Sequence, residues 1–120
     1  MDDSRLPDAA KEILLDEENR IYFSAVSIWE LAIKHALRPN SVTQSPGEFI
    51  RMCLDAGYLE LPMRAEHSEP LDSLSRDKDA PAHKDPFDRM LIAQAKSEGM
   101  AFVTHDSMLP NYKEDCIRLV

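Results

Sequence analysis

The sequence predicts an α/β domain built on a largely parallel sheet, and three observations carry that expectation. Short β-prone runs recur at 21–23, 58–61, 100–104 and 117–119. Stretches with apolar residues at helical spacing separate most of them, and Ser, Pro and Gly mark the starts and stops. Strands that alternate with helices return side by side through right-handed crossovers, which makes the sheet parallel.

Leu6 to Leu15 places Ala9, Ala10, Ile13 and Leu14 on one side of a first helix. After the polar break Asp16 to Asn19, Ile21-Tyr22-Phe23 reads as a buried strand. Ser27-Ile28-Trp29-Glu30 has the spacing of a capping box. The helix it opens runs to about Leu37, with Trp29, Ile33 and Leu37 facing inward and Pro39 just beyond. Ser45-Pro46-Gly47-Glu48 repeats the start signal with Pro at the first helical position. Phe49, Ile50, Cys53 and Leu54 form that helix's stripe, and Gly57 closes it. Tyr58 to Leu61 is a second strand ended by Pro62, Met63 to Leu74 a further helix, and Arg76 to Lys84 a charged loop. Asp85-Pro86-Phe87-Asp88 opens a helix carrying Phe87, Leu91 and Ala95 at four-residue spacing, and Gly99 stops it. Met100 to Thr104 is a strand, and after a turn at Pro110 a last strand runs from Ile117 to Leu119. With no internal repeat, residues 1–120 are expected to form a single domain.

Composition bounds the function. A net charge of −8 speaks against a general electrostatic grip on nucleic acid, which needs a basic surface. It is compatible with acid concentrated in a metal site, and equally with charge that only keeps the chain in solution. Cys53 and Cys116 match no metal-ligand spacing and read as buried thiols of a reducing compartment. No apolar run approaches the roughly 20 residues of a membrane span, and the acidic N-terminus is unlike a signal peptide. The expectation is a cytoplasmic protein with no membrane association.

Three acids stand where chain geometry gathers ligands. A helix in a βαβ arrangement runs antiparallel to its strands, so its first turn lies at the carboxyl edge of the sheet. Asp88 and Glu30 are placed in such first turns, and Asp106 follows the strand that ends at Thr104. Carboxylates so arranged repel unless a cation intervenes, and oxygen ligands without Cys or clustered His favour Mg²⁺ or Mn²⁺ over zinc. The plainer reading fits the same residues. Glu30 completes a capping box or pairs with Lys34, Asp85 and Asp88 cap a helix, and Asp106 is a turn residue. His35, His67, His83 and His105 share no ligand spacing and read as surface or loop residues.

Residues 22–34, Tyr-Phe-Ser-Ala-Val-Ser-Ile-Trp-Glu-Leu-Ala-Ile-Lys, resemble a conserved block of VapC-type PIN domains. So do His-Lys-Asp-Pro-Phe-Asp-Arg-Met-Leu-Ile-Ala-Gln-Ala at 83–95 and Phe-Val-Thr-His-Asp at 102–106, in the same order. The resemblance implies a PIN-like parallel sheet flanked by helices and a magnesium-dependent endoribonuclease. Such a protein is usually the toxin of a bacterial toxin–antitoxin pair, with RNA as substrate, an antitoxin protein as partner, and often a homodimer. Carried over by position, Glu30, Asp88 and Asp106 are metal-site acids, and Thr104 is the polar residue near the last of them. Asp85 lies in the matching block as a cap, or as a residue behind the ligands. The front departs from the pattern. The family opens with a central apolar strand that ends in Asp, and here Met1-Asp2-Asp3-Ser4-Arg5-Leu6 stands instead. The expectation is a PIN-like domain short of that strand and of one acid, with weakened metal binding and reduced or lost activity. Exposed strand edges would then favour dimerisation, including segment exchange. Two alternatives remain: a ribonuclease whose site a dimer partner completes, and a noncatalytic module that binds an antitoxin.

Overall fold

A computed structural model describes residues 7–76, 85–104 and 112–119. The chain divides into two compact units, Met1–Met63 and Arg64–Val120. Each unit holds its own pair of parallel strands with helices, so the expected α/β class and the parallel pairing both hold. Among the described residues the strands form two two-stranded ladders.

In the first unit, α1 (Asp8–Leu15) leads through a polar turn to β1 (Tyr22–Ser24). Helix α2 (Ala25–Leu37) follows at once, and α3 (Pro46–Asp55) precedes β2 (Leu59–Leu61). Tyr22, Phe23 and Ser24 pair with Leu59, Glu60 and Leu61. The α3 start forms as its sequence dictates. The Ser45 hydroxyl accepts the Glu48 N–H at 3.2 Å, and the Glu48 carboxylate accepts the Ser45 N–H at 3.5 Å. Gly57 takes φ 86° just beyond the helix, in the region that costs glycine least.

Helix α2 corrects two expectations. Its cap is Ser24, whose Oγ accepts the Val26 N–H at 3.0 Å, so Ser27 lies inside the helix and forms no box with Glu30. The inward side centres on buried Val26, with Glu30 and Ile33 half-buried. Trp29 is turned about 60° away from Val26 at 100° per residue. It is 63% exposed, and Leu37 in the final turn is 76% exposed, so neither faces inward.

In the second unit, residues 63–74 were expected to be an α-helix. Ala65–Ser73 is instead a 3₁₀ segment, and Pro70 within it has no N–H to donate to an α-helical ladder. Helix α4 (Pro86–Glu98) ends at Gly99, which adopts the left-handed φ 68° of a helix stop. It leads into β3 (Phe102–Thr104), which pairs in parallel with β4 (Ile117–Leu119). The deepest part of α4 is the run Ile92-Ala93-Gln94-Ala95, while Phe87 and Leu91 of the expected stripe are only half-buried. Ile92 and Tyr112 form the core, packed by Leu74, Phe102, Cys116 and Ile117. The Arg76 guanidinium lies 5.3 Å above the Tyr112 ring, a cation–π contact that closes one side of it. Most of the charged loop, at 77–84, and the turn at Pro110 lie outside the described residues.

Candidate metal centre

Asp88 is the third residue of α4 and half-buried, in the first turn as its sequence context predicts. The turn is built by Asp85, whose Oδ1 accepts the N–H groups of Phe87 at 2.9 Å and Asp88 at 3.3 Å. Asp85 is therefore the helix cap, and Pro86 takes the position where a missing N–H costs nothing. Thr104, the last residue of β3, is half-buried, and Asp85, Asp88 and Thr104 all offer oxygen donors.

Glu30 belongs to the first unit. It is the sixth residue of α2, one turn later than expected, because the helix begins at Ala25. Its side chain is 22% exposed, and Oε2 meets Lys34 Nζ at 3.4 Å, the i to i+4 pair that the plainer reading allowed. Asp106, like His83 and His105, lies outside the described residues.

One cluster was missed. Glu66, His67 and Glu98 bring potential ligand atoms within 4.8 Å of one another. His67, expected at the surface, has no exposed area. Its Nδ1 accepts the Arg64 N–H at 3.0 Å, so in the neutral ring Nε2 carries the proton and donates to Glu98 Oε1 at 2.6 Å. A metal needs a ring lone pair, and the only one is already committed to a backbone donor. The cluster is a structural tie between the 3₁₀ segment and α4. Nothing at residues 65–73 of the sequence marks His67 as buried, because the partner that neutralises the cost of its burial lies 31 positions away.

In the second unit, Asp88 and Thr104 offer hard oxygen donors, the kind that suits a divalent cation such as Mg²⁺. The family model for the PIN domain matches residues 1–115. No curated protein and no solved structure matches the chain. PIN domains are nucleases of RNA or DNA and typically depend on a divalent metal. With a match that spans all but its last five residues, this chain belongs to the PIN domain family.

Proposed function

We propose that the chain acts as a metal-dependent ribonuclease of the VapC kind, with Glu30, Asp88 and Asp106 as cation ligands. The observation that carries the reading is the half-buried Asp88 in the first turn of α4, set on a backbone that Asp85 caps. Bound Mg²⁺ or Mn²⁺ would supply a Lewis acid that makes water nucleophilic and offsets phosphodiester charge. Asp85 keeps the first turn of α4 rigid, so the Asp88 carboxylate meets a ligand with little reorganisation. Glu30, half-buried on α2, pairs with Lys34. Thr104 offers a hydroxyl for a phosphate or water oxygen.

Mg²⁺ tolerates imperfect coordination poorly, so loss of any one of these acids is expected to weaken cation binding and slow cleavage. RNA cleavage by the purified chain, with Mg²⁺, Mn²⁺ or chelator and with Asp88→Ala as control, tests the assignment. Slow cleavage that needs metal and falls at least about tenfold in Asp88→Ala supports it. Equal cleavage by parent and variant, or cleavage in chelator, contradicts it.

A second observation favours a protein partner. Leu15, Tyr22, Trp29, Leu37, Leu54 and Leu59 of the first unit are all exposed, Leu15 to 79%. Large exposed apolar side chains concentrated in one unit favour an interaction surface. In the VapC reading the occupant is a second copy or an antitoxin, and a noncatalytic binding role would use the same surface.

A further inference from the structure

We infer that His67 is an acid-operated clasp on the first residues of the second unit. The neutral ring is used at both nitrogens. Nδ1 accepts the backbone N–H of Arg64, at the start of the unit, and Nε2–H donates to Glu98 near the end of α4. The Gln94 amide, itself buried, stands 3.3 Å from the same Nδ1. A second proton has only one place to go, and that is Nδ1.

Once it is there, two donors face one another, N–H of the ring and N–H of Arg64, and that hydrogen bond is lost. The opposite bond strengthens, because imidazolium to carboxylate is charge-assisted. Acid therefore frees the Arg64 end of the 3₁₀ segment while it tightens the α4 end. The charged groups facing the ring are Glu98 from α4 and, from its own segment, Glu66, whose carboxylate is tied to Arg64 Nε at 2.9 Å. The inference does not depend on the nuclease reading.

The full chain, labelled with ¹⁵N, gives the test. Imidazole spectra are expected to show the Nε2–H tautomer of the neutral His67 ring. As His67 gains its second proton, the protection of the Arg64 amide, corrected for intrinsic exchange, should drop roughly three- to tenfold. The Tyr58 amide, bonded to Cys53 O at 2.9 Å in the first unit, serves as the unchanged reference. In His67→Asn, whose oxygen replaces Nδ1 as an acceptor without titrating, Arg64 protection should be independent of pH. An Nδ1–H tautomer in the neutral protein overturns the inference. So does Arg64 protection that is steady through the titration of His67, or a ring that gains no second proton before the chain unfolds.

Discussion

Glu114 shows how a single residue can carry a measurable share of the second unit's stability. Its side chain is 6% exposed, with Lys96 Nζ at 2.8 Å and the Ser75 N–H at 2.6 Å. Burial alone would push its carboxyl upward, but hydrogen bonds from Lys96 and Ser75 and the Lys96 charge outweigh it and hold the group below its ordinary range. A lowered folded-state value means that the stabilisation is fully present above the unfolded value, about 4.3. It is then lost as the pH falls through the folded value. Glu114→Gln should cost about 1 kcal/mol near neutrality, a modest figure because Lys96 is well exposed, and the cost should shrink in acid. Urea denaturation across the acid range measures both. Burial also pushes the Cys53 and Cys116 thiols up, so neither is a ready thiolate near neutrality. For Asp85 the cap and the site separate by experiment. Asp85→Ala should destabilise the chain by roughly 1 kcal/mol and leave the metal response in place, whereas Asp88→Ala should abolish the metal response. Thermal melts beside the cleavage assay distinguish them.

At the scale of elements, legibility followed locality. Helices α3 and α4 were readable at both ends because a cap, a Pro and a Gly write their boundaries into adjacent residues. Ser45→Ala should accordingly cost about 1 kcal/mol of stability by chemical denaturation, through loss of the Glu48 N–H acceptor. The start of α2 was misread because Ser24 and Ser27 are both competent caps, and tertiary context chose the earlier one. That shift moved Glu30 from the first turn into the second, and the same context turned Trp29 out to solvent. The 3₁₀ segment was unreadable for another reason. It is held by Arg64–His67, His67–Glu98 and Arg89–Leu71 hydrogen bonds, and the last two are long-range and leave no periodic pattern.

For the whole molecule, the sequence conveyed the α/β class and the parallel pairing of the strands. Strand runs show that pairing will occur; which strands meet is decided by packing that no local window contains. The exposed apolar residues of the first unit lead to a prediction at this scale. Sedimentation should show association that strengthens with concentration and that Trp29→Glu weakens, whereas a monomer at high concentration would count against a self-associating surface. Of the candidate site, the Asp85–Asp88 turn was legible, since it formed as expected. The site's assembly was not, because Glu30 and Asp88 belong to different units and Asp106 lies outside the described residues. The central claim, that these acids serve one cation, is tested most directly by Mn²⁺ titration calorimetry. It would be run on the parent chain, Glu30→Gln, Asp88→Asn and the double variant. One weak site is predicted, with each single change lowering affinity at least about tenfold and the double change losing far less than the product of the two. Binding of Mn²⁺ that is unaltered in both single variants would contradict the account.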